Sequence, residues 1–181
     1  MTLMMSRLSS PLRELLLVTD EQQRIRALGF GDYKRQLTRS LKDRPSAKDL
    51  PEIPAPKAIA TALRRYFEGD CDALDELVVE PNGTPFQLQV WAALRQIPAG
   101  ATRSYGQLAR DLGLEDPRAA IDIGVANAAN PIAIVIPCHR VIAANGELRG
   151  YAWGLERKRW LLEHEKALRP VVAEPRTAAL F

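Results

Sequence analysis

The sequence predicts an α+β fold in which a small antiparallel sheet with helices precedes a mostly helical domain. Near the start, the apolar run Leu15–Thr19 and the alternating run Ile25–Phe30 have the patterns of two hairpin strands. After Gly83, helix start signals dominate, and two capping boxes follow one another closely. Hydrophobic residues make up 46% of the 181-residue chain, so it can bury a core.

The amino-terminal half contains two further predicted helices. The first covers Asp32–Lys42. The second covers Ala58–Phe67, because apolar side chains recur there every four residues and Gly69 follows its end. Between them, the prolines and charged residues of Asp43–Lys57 indicate a surface connection.

The carboxy-terminal half contains four predicted helices and one buried strand. The capping boxes Thr84–Gln87 and Ser104–Gln107 open the first two helices, which end before Pro98 and at Gly113. A third helix begins at Asp116 and runs to about Ala129. The remaining predicted elements are a buried strand at Ile132–Ile136 and a last helix over roughly Leu155–Lys166.

A domain boundary is predicted near Asn82, where the loosely patterned first half gives way to the capped helices. It divides the chain into an amino-terminal domain, residues 1–82, and a second domain, residues 83–170. The last residues, 171–181, have no clear pattern, so we expect a mobile tail.

The two short helices around Gly113 have the spacing of a helix-turn-helix, a DNA-binding motif. The pattern alone favours the simpler interpretation of two ordinary packed helices. The net charge of +3 and the isoelectric point near 9.0 are compatible with a polyanionic partner but do not require one.

The few cysteines and histidines argue against several classes of protein. Cys71, Cys138, His139 and His164 lack the paired spacing of a zinc site, so we predict no bound metal. Two cysteines suit a reducing cytoplasm better than a disulfide-stabilised secreted fold. No apolar run reaches membrane-spanning length, and the charged residues within Met1–Leu17 argue against a signal peptide.

Cys138 and His139 form the candidate reactive pair. A thiol attacks as its thiolate, so a reactive cysteine needs a group that lowers its pKa or removes its proton. Neighbouring side chains of a strand point to opposite faces, so contact requires a turn, which Pro137 could provide, or an intervening water. For an isolated dipeptide the simpler interpretation is a buried cysteine beside a surface histidine. Cys71 lies in an acidic loop that would raise its pKa, and we expect it to be inert.

The wider string Ile136–Ile142 resembles the active-site signature of the O6-alkylguanine-DNA alkyltransferases. The resemblance is strong over roughly Gly83–Lys166 and weak before it, where it depends mainly on Tyr66–Gly69. The other matching segments, in the order of the family, are Thr84–Gln87, Val90–Trp91, Ile97–Pro98 with Gly100, Ser104–Gly106, Asn130–Pro131, Gly150–Tyr151, and Lys158 with Leu161–Leu162.

The resemblance implies a function in DNA repair. Proteins of this family move the alkyl group of O6-methylguanine onto their own cysteine, once and irreversibly, and O4-methylthymine is a further candidate substrate. No cofactor is needed, because the lesion carries the alkyl group. The implied fold is a ribonuclease H-like first domain and a winged-helix-like second domain. Its helix-turn-helix would bind the minor groove of alkylated double-stranded DNA, and we expect a cytoplasmic monomer with no membrane partner.

The resemblance also implies roles for individual residues. Cys138 would accept the alkyl group, His139 would deprotonate it through a water, and Glu165 would orient the imidazole. Asn130 would hold the loop before the cysteine, and Tyr105 would rotate a DNA phosphate and donate to the departing guanine. The implied DNA contacts are Tyr105, Gly106, Arg118, Ile121 and Arg140, and the implied pocket residues are Tyr151, Ala152 and Trp153.

The sequence departs from the family at two of these positions. The family usually carries an arginine on the recognition helix, which fills the gap left by a flipped base, whereas this chain has Ile121 followed by Asp122. An isoleucine can wedge into a base stack but cannot hydrogen-bond the orphaned partner base, so we expect weaker base flipping with intact chemistry. Arg118, one turn earlier, could substitute. Trp153 replaces a small glycine of some relatives, which predicts a tight pocket that resists benzyl groups.

Two other functions remain open from the sequence. A cysteine hydrolase could use Cys138 with His139, but it would turn over and would need an oxyanion hole. A DNA-binding module that recognises alkylated bases without repairing them would not need Cys138. His164 has no implied role and is expected to be exposed.

Overall fold

The amino-terminal part of the chain contains a three-stranded antiparallel sheet. In the computed structural model, which describes residues 1–41, 43 and 45–169, the strands are β1 (Met4–Leu8), β2 (Leu15–Thr19) and β3 (Ile25–Phe30), in the order β1-β2-β3. Every residue of the central β2 is buried, as expected of a strand covered on both faces. The predicted hairpin of β2 and β3 is confirmed, whereas β1 was not predicted.

Two helices accompany the sheet. A 3₁₀ turn, Gly31–Tyr33, leads into the short helix α1 (Lys34–Arg39), a second 3₁₀ turn lies at Ala47–Asp49, and α2 spans Lys57–Phe67. The first predicted helix was therefore too long, and its end at Lys42 lies outside the described residues. On α2, the buried face consists of Ile59, Ala62, Leu63 and Tyr66.

The second part of the chain is mainly helical, which confirms the predicted fold class. Its helices are α3 (Pro85–Leu94), α4 (Tyr105–Asp111), α5 (Ala119–Ala128) and α6 (Leu155–His164). Both predicted capping boxes are formed, with Thr84 and Ser104 accepting from the backbone three residues on. A short parallel pair, β4 (Arg103–Ser104) and β5 (Val141–Ile142), joins distant segments.

The predicted strand at Ile132–Ile136 is wrong. Only Ile132 forms a β-bridge, to Leu28, and the following residues make turns in which Ile134 has a φ of 70°. The physical reason is the side-chain amide of Asn130, which donates to the carbonyls of Ile132 (3.2 Å) and Ile136 (2.8 Å). Because one side chain binds both ends of the segment, the segment curls around it instead of extending.

One hydrophobic core joins the two parts of the chain. Strand β3 is hydrogen-bonded to the segment before the cysteine, because the Leu28 N–H donates to Pro131 O (3.0 Å) and the Ala133 N–H donates to Leu28 O (2.8 Å). The sheet therefore supports one wall of the site described below. No helix among the described residues is long and apolar enough to cross a membrane.

Candidate active site

The candidate nucleophile lies in a single 3₁₀ turn, Cys138–Arg140, at the end of the loop that Asn130 folds. The Cys138 side chain is buried, at 3% exposure. Its carbonyl accepts a hydrogen bond from Asn127 Nδ2 at 3.2 Å. The expectation that neighbouring side chains would point to opposite faces assumed a strand. The turn instead buries both Cys138 and His139.

His139 is fully buried, and its Nε2 lies 2.9 Å from Glu165 Oε2. An ionised carboxylate can only accept, so the proton of the neutral imidazole resides on Nε2 and Nδ1 is left as the acceptor. Nδ1 has no hydrogen-bond partner within the part of the chain that the structure describes. Burial lowers the pKa of His139, and Arg140 and Lys158 act in the same direction, whereas Glu165 opposes them. His139 therefore has the protonation state that a general base requires.

Glu165 follows the last residue of α6, and its carboxylate accepts hydrogen bonds from Tyr66, His139 and Arg140. Arg140 Nε donates to Oε1 at 2.8 Å, and Arg140 Nη2 donates to Oε2 at 2.9 Å. The hydroxyl of Tyr66, from α2, donates to Oε2 at 2.6 Å. Burial alone would raise the pKa of Glu165, but His139 and Arg140 outweigh it and hold that pKa well below its usual range. The carboxylate is therefore charged at neutral pH.

Arg140 points inward, which corrects the expectation that it contacts DNA. Its side chain is buried, and besides the two bonds to Glu165 its Nη1 donates to the carbonyl of Ile97 at 2.6 Å. The sequence pattern could not indicate this, because the partner carboxylate lies 25 residues further along the chain. A guanidinium that makes a forked contact with a buried carboxylate neutralises a charge that would otherwise be very costly to bury.

The environment of the thiol favours its protonated form. Burial raises the pKa of Cys138 to about 11, and Asn130 and Lys158 partly oppose this effect. Lys158 is fully buried, and its Nζ donates to the carbonyls of Val141 (2.6 Å) and Arg149 (3.0 Å). Burial lowers the pKa of Lys158 to about 8, with Cys138 opposing. Because the thiol is protonated at rest, a base must remove its proton during reaction.

Two tyrosines lie close enough to the thiol for its charge to affect them. Tyr105 is half-buried and its hydroxyl donates to Arg149 O at 3.2 Å, whereas Tyr151 is buried and its hydroxyl has no partner among the described residues. Burial raises the pKa of both hydroxyls, and a negative charge on Cys138 would raise them further. Both hydroxyls therefore remain protonated and can act as donors. Ala152 follows on the same loop and is half-buried.

Family models match both parts of the chain. Residues 3–81 match the 6-O-methylguanine DNA methyltransferase, ribonuclease-like domain, and residues 85–167 match the 6-O-methylguanine DNA methyltransferase, DNA binding domain. The chain belongs to the 6-O-methylguanine DNA methyltransferase family. The resemblance inferred from the sequence is thereby confirmed.

Similar proteins cover nearly the whole chain. It is 43% identical over 165 residues to the methylated-DNA–protein-cysteine methyltransferase of Shigella flexneri, covering 90% of this chain and 95% of that protein. The O6-methylguanine methyltransferase of Mycobacterium tuberculosis has a similar structure, with a TM-score of 0.75 and 36% identity over 94% of this chain and 97% of that chain. The Mycobacterium tuberculosis OGT in complex with DNA gives a TM-score of 0.72 and 35% identity, over 90% and 92% of the two chains.

The two departures from the family pattern lie in contrasting places. Ile121 is 68% exposed on α5, and Val125, one turn on, is 65% exposed, so together they form an apolar ridge in solvent. Asp122 is also exposed, as is Arg118, the residue before α5. Gly106 lies in the first turn of α4. This family member therefore presents apolar side chains where the arginine was expected.

The Trp153 ring is buried against β3 and the 3₁₀ turn that follows it. The ring makes edge contacts with Phe30 and Tyr33, both at 5.9 Å between centroids. Gly29 on β3 leaves the space for it, because an added Cβ would lie 2.6 Å from Trp153 Cζ3. The resistance to benzyl groups stays a prediction.

The environment of His164 also differs from the prediction. The imidazole is half-buried instead of exposed, stacks on Trp160 at 4.8 Å, and has its Nε2 2.7 Å from Tyr66 O. Sequence reasoning missed Tyr66 as a contact of the site. The only signal was its place in the weakly matching Tyr66–Gly69 string.

Proposed function

We propose that the chain repairs alkylated DNA by transferring the alkyl group from O6 of guanine to Sγ of Cys138. The observation that carries this function is the buried cluster around Cys138, in which Glu165 leaves His139 Nδ1 as an acceptor. The family and the identities of its relatives support the same reaction. The reaction is a single turnover, because no residue of the site could cleave the thioether that it forms.

The protons and electrons of the reaction balance within the site. His139 Nδ1 takes the thiol proton, directly or through one water molecule. The thiolate attacks the alkyl carbon, the S–C bond forms, and the C–O bond electrons move to the guanine. Tyr105 donates its hydroxyl proton to the departing guanine and is reprotonated at the expense of the imidazolium. The net result is a thioether and a repaired guanine that carries the former thiol proton.

We propose that α4 and α5 form the helix-turn-helix that binds the minor groove of double-stranded DNA. The ridge of Ile121 and Val125 supports this, because exposed apolar side chains on a helix suit insertion between bases. Tyr105 and Gly106 begin α4 and would lie at the phosphates, with Arg118 beside them. The alkylated nucleotide must leave the stack to reach the buried Cys138.

The rim of the proposed DNA surface carries three exposed cations and two exposed carboxylates, Asp32 and Asp43. A groove of about 1790 Å³ reaches from Val125 on α5 to the exposed cations Lys34, Arg35 and Arg39 of α1. Phosphate contacts by such residues do not depend on sequence and weaken with added salt. Binding should therefore be salt-sensitive and largely independent of sequence.

Three further proposals concern the state of the protein. The chain acts as a monomer, and it acts in the cytoplasm, whose reducing conditions suit the two free cysteines, Cys71 and Cys138. Its domains are residues 1–82 and 83–170. The tail, residues 171–181, lies outside the described residues.

The first test is the intact mass of the protein after it is mixed with duplex DNA that carries O6-methylguanine. The wild type should gain one methylene per molecule, Cys138→Ala should gain none, and Cys71→Ala should behave as the wild type. No gain with retained DNA binding would indicate a protein that recognises damage without repairing it, and turnover of an ester would indicate a hydrolase. Either result would contradict the proposal.

A further inference from the structure

We propose that Tyr66, on helix α2 of the amino-terminal domain, is a positioning residue that sets the proton affinity of the His139–Glu165 pair. The inference rests on the proposed function, since it concerns the same reaction. It assigns the amino-terminal domain a part in the chemistry, through a hydrogen bond between residues that are 99 positions apart in the chain.

The geometry brings three donors to one oxygen. Glu165 Oε2 accepts from the Tyr66 hydroxyl at 2.6 Å and lies 2.9 Å from both His139 Nε2 and Arg140 Nη2. Tyr66 is fully buried, so no solvent competes for its hydroxyl. Its bond to Glu165 is therefore a fixed feature of the site.

Helix α6 and its end hold Tyr66 at two points. The tyrosine carbonyl lies 2.7 Å from His164 Nε2, and its ring meets the imidazole edge-on at 5.1 Å. The next residue, Phe67, packs its ring against Trp160 at 6.0 Å. A phenylalanine at position 66 would keep these contacts and lose only the bond to Glu165.

The hydroxyl acts on His139 through the shared oxygen. Each donor to Oε2 stabilises the negative charge of Glu165 and weakens its attraction for the proton of the imidazolium. Without the hydroxyl of Tyr66, Glu165 would favour imidazolium more strongly, and the pKa of His139 would rise. A protonated His139 cannot accept the thiol proton, so the loss of alkyl transfer at low pH would begin at a higher pH.

The other charged and titratable residues around this pair are the same in the wild type and in Tyr66→Phe. Arg140 and Lys158 are cations that disfavour imidazolium. Cys71 lies close enough to respond to the charges of Glu165 and Arg140, and Asp75 responds to Arg140. A shift that follows a change at Tyr66 alone therefore reports on the hydroxyl.

The test is the single-turnover rate of methyl transfer against pH for the wild type and Tyr66→Phe. The midpoint of the acid limb should move up by about one pH unit, so that the rate below the midpoint falls about ten-fold while the rates converge at higher pH. Tyr33→Phe is the matched control, because the Tyr33 ring packs on Trp153 and not on Glu165 or His139. It should leave the midpoint unchanged.

A second variant keeps the shape of the site and covers the case in which Tyr66→Phe does not fold. A fluorinated tyrosine at position 66 is a stronger donor, so the midpoint should move down in pH. An unchanged midpoint, or a rate that falls equally at every pH, would overturn the inference and leave Tyr66 a packing residue. If the wild type itself gains no methyl group, the proposed function fails instead.

Discussion

Replacing Gly29 by alanine should destabilise the protein through a single ring, that of Trp153. An alanine Cβ would lie 2.6 Å from Trp153 Cζ3 and 3.2 Å from Cζ2, which is closer than unstrained atoms approach. The ring cannot move away freely. Phe30 and Tyr33 meet its edges, and Arg157, which packs over Phe30 at 4.1 Å, donates to the Trp153 carbonyl.

Overpacking of this kind costs about 1–3 kcal/mol. For a chain of this length, a loss of about 2 kcal/mol lowers the Tm by roughly 4–8 °C. Trp153→Phe alone should also destabilise, since it leaves a cavity. The double variant should be more stable than the sum of the single changes predicts, by about 0.5–3 kcal/mol, because the smaller ring vacates the space that the alanine needs.

The assay is thermal or denaturant unfolding of the wild type, both single variants and the double variant. Gly31→Ala is a matched control on the same segment, because its added Cβ would meet the flexible end of Glu14 at 3.1 Å. Additive effects of Gly29→Ala and Trp153→Phe would refute the packing argument. Rapid labelling of the wild type by O6-benzylguanine would contradict the predicted resistance to benzyl groups.

Three more predictions concern the proposed site. Ile121→Arg should repair duplex DNA faster than the wild type and react unchanged with the free base O6-benzylguanine; equal duplex rates would contradict weakened flipping. Lys158→Met should raise the pKa of Cys138 and slow methyl transfer at pH 7 by about ten-fold in single-turnover measurements, and an unchanged rate would contradict an electrostatic role. The folded-state pKa of Glu165 lies below its ordinary 4.5, so its contribution to stability is present above about pH 4.5 and lost as the pH falls further. Denaturant midpoints for Glu165→Gln should therefore vary less with pH below 4.5 than those of the wild type.

Local signals in the sequence predicted most of the fold. The capping boxes at Thr84 and Ser104 depend on residues three apart, and the β2–β3 hairpin depends on neighbouring runs, so each is visible in a short window. The cysteine and histidine of the site were also visible, because they are adjacent and lie in a family motif. The contact of His139 with Glu165 was predicted from the resemblance alone.

The features that the sequence did not predict depend on contacts between residues that are far apart in the chain or on a single side chain. The apolar run after Asn130 has the composition of a strand, but one side-chain amide binds its two ends and curls it. Arginine side chains are usually exposed, but that of Arg140 is buried because it pairs with Glu165, which directly follows the last helix. Tyr66 reaches the same carboxylate from the other domain, and Trp153 fills a space that only Gly29 leaves.

The arrangement separates DNA binding from chemistry. The proposed DNA-binding surface includes exposed side chains such as Ile121 and Val125, which can be substituted without disturbing the core. The reactive cluster is buried, and its ionised Glu165 depends on donors from three residues on two separate segments, so removing one leaves a charge or lone pair unsatisfied. An isoleucine in place of the family's arginine is therefore compatible with intact transfer to Cys138. Its effect should appear in how often a damaged base reaches the thiol, and not in the rate once the base is there.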